Sequence, residues 1–69
     1  MSLLVKKISK NVKRIRTDKK LSQFDLAKRS GVSMNTVVFL ENERNENPTI
    51  DTVHDIAKGL GVPFVQLLK

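Results

Sequence analysis

The sequence predicts an all-α domain of five helices, and three observations favour this fold class. Apolar residues recur every three or four positions along most of the chain. Ser, Thr and Gly, which favour helix ends, interrupt this pattern at short intervals. No segment shows the apolar–polar alternation that is typical of a strand. With 69 residues the chain has room for one small domain, which we expect to occupy residues 1–69.

The first helix is predicted over about residues 3–19. Leu4, Ile8, Val12 and Ile15 are separated by four, four and three positions, which places them on one face of a helix. The opposite face is basic, and it can be either a solvated surface or a surface that contacts an anionic partner. Its cations are Lys6, Lys10, Lys13 and Arg14.

Helices 2 and 3 are predicted over about residues 23–30 and 34–41, with a very short connection. Ser22 can cap the start of helix 2, and the carboxylate three residues later can complete a capping box. Gly31 can end this helix in the left-handed conformation, and Ser33 can cap helix 3 only two residues later. Two short helices joined in this way are typical of a helix-turn-helix.

Helix 4 is predicted over about residues 50–60, because Thr49 can cap its start and Gly61 can end it. A fifth helix is predicted over about residues 63–68, with Pro63 in its first turn. The apolar residues of helix 4 have the spacing of a buried face: Ile50, Val53, Ile56, Ala57 and Leu60.

The composition restricts the function. Thirteen Lys and Arg against seven Asp and Glu give a net charge of +6, which indicates an anionic partner, either nucleic acid or a membrane surface. The chain has no Cys and a single His, His54, which is expected to be a surface residue. Metal sites and acid–base triads need several converging groups, so we expect no metal, no cofactor and no enzyme activity.

Other features of the sequence predict where in the cell the protein is located. The apolar start is too short for a signal peptide, and no apolar run approaches the length of a membrane span. The absence of Cys fits a reducing cytoplasm. We therefore expect a cytoplasmic protein with no membrane partner. The length leaves no room for a ligand-sensing domain, so no small-molecule ligand is expected.

Helix 3 carries the residues that are expected to read DNA bases. If Val37 and Leu40 face inward, then Asn35 and Phe39 point away from the core, and Val38 flanks them. Asn can pair with adenine, while Phe and Val can contact thymine methyl groups, so this face suits A·T-rich steps in the major groove. The alternative is that Val38 and Phe39 contact another protein.

At these positions the sequence resembles the Cro/C1-type (XRE-like) helix-turn-helix regulators, which include phage repressors and Cro proteins. The resemblance extends from about Ile8 to Leu68. It implies a compact lambda-repressor-like fold and a regulator of transcription that binds double-stranded DNA in a bacterial or phage setting, associated with the nucleoid. The matching segments are Leu21–Ser33, Thr36–Val37, Leu40–Asn42, Pro48–Ile50 and Ile56–Val62.

The resemblance implies roles for individual residues. Gln23 matches a glutamine that binds a DNA phosphate and supports the recognition helix, and Arg16 and Glu41 match a pair that forms an internal salt bridge. The expected base-reading residues are Met34, Asn35, Thr36, Val38 and Phe39. The expected phosphate-binding residues are Ser22, Gln23, Ser33, Asn42, Arg44, Lys13 and Arg14.

The chain also departs from the family pattern. Many members have Arg, Gln or Glu where this chain has Met34, Val38 and Phe39, so their operators do not predict the operator of this chain. Glu43 and Glu46 lie near positions where relatives have Gly and Lys. Their negative charge can weaken non-specific DNA binding, or they can simply belong to a solvated loop.

Family members act as dimers on inverted repeats whose half-sites lie about one helical turn apart. We therefore expect a homodimer that blocks or recruits RNA polymerase. The expected interface residues are Val62, Phe64, Val65 and Leu68, with Leu3 and Leu4 as further candidates. The alternative is that these apolar residues only close the core of one chain.

Three assignments remain open within this framework. The stretch before Ile8 and the segment from Asn47 to Leu60 resemble controller proteins of restriction-modification systems more than the shortest phage repressors. A phage or prophage repressor, or a Cro-like protein, is the alternative within the family. An antitoxin or a protein-interaction module is the alternative from another class.

Overall fold

Four α-helices and one 3-10 helix form the structure, a computed structural model that describes residues 3–44 and 47–69. No strand occurs within these two ranges, which confirms the predicted all-α class. None of the helices in them has the length and apolar character needed to cross a membrane. In chain order the elements are α1 (Leu3–Asp18), α2 (Gln23–Ser30), α3 (Met34–Glu41), α4 (Ile50–Leu60) and the 3-10 helix η1 (Phe64–Leu68).

The last element differs from the prediction of a fifth α-helix. Pro63 precedes η1 in an extended conformation, and its carbonyl accepts from the backbone N–H of Gln66, three residues later, at 3.0 Å. This is the bonding pattern of a 3-10 helix, which is favoured in short segments. The five residues of η1 are too few to establish a ladder of α-helical hydrogen bonds.

The hydrophobic core lies where the inner faces of all five elements meet. Val12, Leu26, Val37, Ile56 and Leu67 each bury their side chains completely, and each comes from a different element. The three–four spacing identified these inner faces correctly over most of their length. Burial of apolar side chains from every element therefore holds the helices in one arrangement.

Two residues of the predicted inner faces lie outside the core. Leu4 is 53% exposed and Ile50 is 74% exposed. Both belong to the first turn of their helices. The prediction that Ile50 is buried is therefore wrong, because the spacing of apolar residues cannot show where the neighbouring elements end.

The helix ends follow the predicted capping chemistry. Ser22 Oγ accepts from the backbone N–H of Asp25 at 2.9 Å, and Asp25 Oδ2 accepts from the N–H of Ser22 at 3.0 Å, which completes a capping box. Ser33 caps α3 in the same way, by accepting from its third residue. Gly31 ends α2 with φ of 70°. These caps confirm the tight connection that places α3 directly after α2.

A close approach between α2 and α4 fixes the position of the helix-turn-helix on the rest of the domain. Gly59 is buried in α4 and faces Ser30 at the end of α2. A Cβ atom at position 59 would overlap Ser30 Oγ and lie 3.0 Å from the Ser30 backbone nitrogen. Only glycine allows the two helices to pack at this distance without a shift.

Candidate nucleic-acid interface

The outer face of α3 is uncharged and partly apolar. Val37 and Leu40 are fully buried, as predicted, and Asn35 is exposed on the opposite side. Met34 and Phe39 are 46% and 47% exposed. The outer side of this short helix therefore exposes two large apolar side chains.

The first turn of α3 contains a pair of hydroxyl groups. Ser33 Oγ accepts from the backbone N–H of Thr36 at 3.1 Å and shares a second hydrogen bond with Thr36 Oγ1 at 2.8 Å. Ser33 is exposed and Thr36 is half-buried. Each hydroxyl therefore already has a partner within the protein at the end of the helix where backbone N–H groups are free.

The inner side of α3 holds a buried ion pair. Arg16 Nε donates to Glu41 Oε2 at 2.6 Å, and Arg16 Nη2 donates to Glu41 Oε1 at 2.8 Å. The side chains are 11% and 1% exposed. The hydrogen bonds to Glu41 raise the pKa of Arg16 above its ordinary value, against the opposing effect of burial. The two-pronged geometry fixes the end of α3 against α1.

Two more groups complete this polar junction. Arg16 Nη1 donates to the carbonyl of Leu21 at 2.7 Å, just before α2. Gln23 Nε2 donates to Glu41 Oε1 at 3.2 Å. The structure thus brings Arg16, Glu41 and Gln23 together, and this junction ties α1, the start of α2 and the end of α3 to one another.

The start of α2 presents the second capped N-terminus. Ser22 is exposed, and its hydrogen bonds with Asp25 lower the pKa of that carboxyl below its ordinary value. Helix N-termini bind anions through their free N–H groups and the helix dipole. Asp25 uses part of that capacity internally.

The cations of α1 differ in their availability. Lys13 is exposed. Arg14 Nη2 donates to Asn11 Oδ1 at 3.2 Å, and Arg14 Nη1 lies 3.9 Å from Asp18 Oδ2. Arg14 therefore has a carboxylate partner on its own helix, although such an exposed pair is weak. Neither cation takes part in the junction around Glu41.

The segment after α3 contains the remaining predicted phosphate contacts. Asn42 and Arg44 are both exposed, and the backbone N–H of Arg44 donates to the carbonyl of Phe39 at 2.8 Å. Glu43 between them has φ of 61°, and its Oε1 is buried without a hydrogen-bond partner. The other acidic residue singled out in this segment, Glu46, lies outside the described residues.

An apolar groove of about 300 Å³ lies at the other end of the domain. Two of the four predicted dimer residues, Phe64 and Leu68, line it together with the exposed Leu4. Val65 is exposed beside it, and Val62 is half-buried against the core. The complete lining is Leu4, Val5, Ile8, Pro48, Ile50, Val53, Phe64 and Leu68.

Several contacts near these surfaces were not predicted. Asn11 Nδ2 donates to the carbonyl of Leu67 at 2.9 Å, which joins α1 to η1. Lys28 Nζ lies 5.6 Å from the ring centre of the exposed Phe24 on α2. His54 is exposed, as predicted, and its ring centre lies 6.2 Å from that of Phe64. Asn11 and Leu67 are far apart in sequence, so no local pattern indicates their bond.

Two short capped helices joined by a three-residue turn that contains Gly31 have the arrangement of the helix-turn-helix class of DNA-binding proteins. The chain belongs to the helix-turn-helix family of XRE-type transcription regulators, whose family model matches residues 12–67.

Three relatives illustrate the similarity. The chain is 38% identical over 63 residues to an uncharacterised HTH-type transcriptional regulator, y4dJ, of Sinorhizobium fredii, which covers 91% of this chain and 80% of that protein. Its structure is similar to the crystal structure of the wild-type restriction-modification controller protein C.Esp1396I, with a TM-score of 0.88 and 34% sequence identity. The match covers 99% of this chain and 90% of that chain. Its structure is also similar to the crystal structure of a hypothetical transcription factor from Neisseria, NHTF, with a TM-score of 0.88 and 30% sequence identity. This match covers 96% of this chain and 75% of that chain.

Proposed function

We propose that this protein regulates transcription by binding an inverted-repeat operator in double-stranded DNA as a homodimer. One α3 from each chain enters one of two successive major grooves, and the bound dimer blocks or recruits RNA polymerase. The observation that carries the proposal is the construction of α3, whose charged residue is buried in an ion pair while Asn35 and Phe39 face outward.

The base contacts come from the outer face of α3. Asn35 offers both an amide donor and an acceptor, which suits bidentate pairing with adenine N6 and N7. Met34, Val38 and Phe39 supply apolar contacts, and Thr36 borders them. Since the junction around Glu41 holds the helix from behind, this face is presented in one orientation.

The phosphate contacts flank that face. Ser22 and Gln23 lie at the start of α2, and Ser33 lies at the start of α3, where free N–H groups favour an anion. The amide nitrogen of Gln23 carries two hydrogens, so it can donate to Glu41 and to a phosphate together. Further phosphate contacts come from Lys13, Arg14, Asn42 and Arg44.

The dimer interface lies on the apolar groove at the other end of the domain. Leu4 and Ile50, both exposed, line this groove together with Phe64 and Leu68. In a two-fold dimer the same patch of both copies comes together, so an exposed apolar patch beside a groove can bury itself against its own copy. Val62, Val65 and Leu3 are further candidates for the interface.

Within the family, we assign the protein to the controllers of restriction-modification systems. The likeness to C.Esp1396I, which extends over almost the whole of both chains, supports this assignment. A phage or prophage repressor, or a Cro-like protein, is the alternative. Either role places the protein in the cytoplasm of a bacterial cell.

Selection of bound sites from a random DNA pool tests the proposal in one experiment. We expect enrichment of two inverted half-sites with centres about 10 base pairs apart or a multiple of this. The Phe39→Ser variant should enrich the same site more weakly, while Thr17→Ser on the outer side of α1 should retain the full enrichment. Failure to enrich any sequence would contradict the proposal and favour a protein-interaction module.

Sedimentation tests the dimer separately. The wild-type chain should sediment as a dimer at tens of micromolar, and Ile50→Glu should shift it toward the monomer. Thr17→Glu, which adds the same charge at an exposed position away from the groove, should leave the dimer intact. A wild-type monomer at that concentration would reject a stable dimer.

A further inference from the structure

The polar groups that α3 can offer to a base are very few. Within Met34–Glu41, the side chains able to form hydrogen bonds are Asn35, Thr36 and Glu41. Glu41 is buried in its ion pair, and the Thr36 hydroxyl is paired with Ser33. Asn35 is therefore the one residue of this helix whose side chain is exposed, polar and without an internal partner in the structure.

The rest of the outer face is apolar. Met34 and Phe39 are each almost half exposed, and Val38 is half-buried between them. Of the base edges in the major groove, the only apolar group is the methyl group at C5 of thymine. An apolar side chain against a guanine oxygen or a cytosine amino group would instead remove water from that group without replacing its hydrogen bond.

A single amide thus distinguishes one base pair by hydrogen bonding, while three apolar side chains can recognise methyl groups. The methyl group of 5-methylcytosine occupies the same C5 position and points into the same groove as that of thymine. The apolar part of the face has no group that would distinguish these two pyrimidines.

We infer that α3 recognises the C5-methyl groups of pyrimidines through Met34, Val38 and Phe39, so that DNA affinity depends on the methylation of cytosine at the contacted positions. This inference rests on the proposed binding of α3 in the major groove. It identifies the chemical group that is read, and it makes the protein responsive to 5-methylcytosine in its operator.

The first test replaces each thymine of the selected operator by uracil, which removes the methyl group and keeps the base-pairing edge. Affinity should fall about fourfold for each contacted methyl group, the factor that corresponds to about 0.8 kcal/mol for one buried methylene-sized group. Cytosine in place of a contacted thymine should be bound more weakly than uracil at that position. 5-Methylcytosine at the same position should be bound about fourfold more tightly than cytosine.

Variants of the protein locate the effect. In Phe39→Ser, the ratio of thymine to uracil affinity should fall toward one at the position that Phe39 contacts. In Asn35→Ala, the overall affinity should fall while the thymine-to-uracil ratios stay at their wild-type values. Both side chains are exposed, so neither variant is expected to change the thermal midpoint by more than a few degrees.

The outcomes separate this inference from the proposed function. If uracil and thymine operators bind equally at every position while the selected site is still bound specifically, methyl recognition is wrong and the proposed function stands. If no sequence is enriched from the random pool, the proposed function fails and methyl recognition fails with it. If the ratio of thymine to uracil affinity is the same in Phe39→Ser, Met34→Ser and the wild type, then these side chains do not recognise the methyl groups.

Discussion

Helices α3 and α4 are both short and both begin at a hydroxyl cap, yet they distribute charge in opposite ways. In α4 the charged Asp51 and Lys58 face solvent, and the apolar residues after Ile50 face the core. In α3 the charged residue is buried, and Met34 and Phe39 are exposed. Burial of apolar surface positions α4, whereas an ion pair helps to position α3 and leaves apolar groups for a partner. The difference shows that a helix can expose large apolar side chains when a buried ion pair contributes to its positioning.

The largest expected effect tests the ion pair. Removal of Arg16 by Arg16→Ala leaves Glu41 charged and buried, which should lower the free energy of unfolding by about 3–5 kcal/mol. Arg14→Ala on the same helix removes only an exposed pair with Asp18 and should cost less than about 1 kcal/mol. Urea denaturation measures both. An unchanged midpoint in Arg16→Ala would show that α3 is positioned by its apolar residues alone.

The second prediction concerns the outer face of α3. Asn35→Ala should lower affinity for the selected operator by about 1–3 kcal/mol, because one bidentate base contact is lost. Affinity for unrelated DNA and the free energy of unfolding should change little, because Asn35 is exposed. Fluorescence anisotropy with both duplexes measures the difference. Equal losses on operator and unrelated DNA would exclude Asn35 as a base-reading residue.

The third prediction tests how closely α4 packs against α2. Gly59→Ala should lower the free energy of unfolding by about 1–2 kcal/mol, because overlap with Ser30 exceeds the gain in helix propensity. In the Ser30→Ala background the overlap with Oγ is removed and only the close approach to the backbone of residue 30 remains, so the same change should cost less. Thermal unfolding of the four variants measures this coupling. A stabilised Gly59→Ala would mean that the two helices separate without cost.

The fourth prediction compares the ends of the two helices. α4 ends at Gly61, with φ of 74°, whereas the left-handed position after α3 is Glu43, with φ of 61°. Glu43→Gly should raise the free energy of unfolding by about 0.5–1 kcal/mol, because glycine adopts this conformation without a steric penalty. Glu43→Ala, which removes the carboxylate but keeps the Cβ, provides the control. Equal stability of the Gly and Ala variants would argue against strain at this residue.

The smallest effect concerns pH and the start of α2. Hydrogen bonds with Ser22 lower the pKa of Asp25 below its ordinary value of 3.8. A carboxyl with a lowered pKa stabilises the fold above its unfolded pKa, and this contribution is lost as the pH falls through the folded pKa. The thermal midpoint should therefore decrease below about pH 4, and Asp25→Asn should show a smaller decrease. If the thermal midpoints of the wild type and Asp25→Asn decrease equally with falling pH, Asp25 does not contribute to this pH dependence.

Sequence reasoning was most successful where structure depends on near neighbours. Ser22, Ser33 and Gly31 identified the helix ends, because capping uses groups within a few residues of one another. The three–four spacing identified the buried face of each helix but failed at Ile50, where burial depends on how far the neighbouring elements extend. For the short C-terminal element, helical spacing did not distinguish an α-helix from a 3-10 helix.

Local sequence patterns did not predict the contacts between residues that lie far apart in the chain. Arg16 and Glu41 lie 25 positions apart. The family resemblance predicted that they pair, whereas the local sequence pattern gave no indication of this pair. The packing of Gly59 on Ser30 depends on the placement of two whole helices. The outer face of α3 could be derived because helical periodicity identifies it once Val37 and Leu40 are placed in the core.

The hydrogen bond from Asn11 to the carbonyl of Leu67 also bears on how the protein is made. The bond joins residues 56 positions apart, and the fully buried Leu67 fills the core beside it. On the ribosome, α1 emerges first, but this bond and this part of the core cannot form until Leu67 has left the exit tunnel. The packing of α1 against η1 is therefore completed only after Leu67 has left the exit tunnel, later than the contacts among α1, α2, α3 and α4 can form.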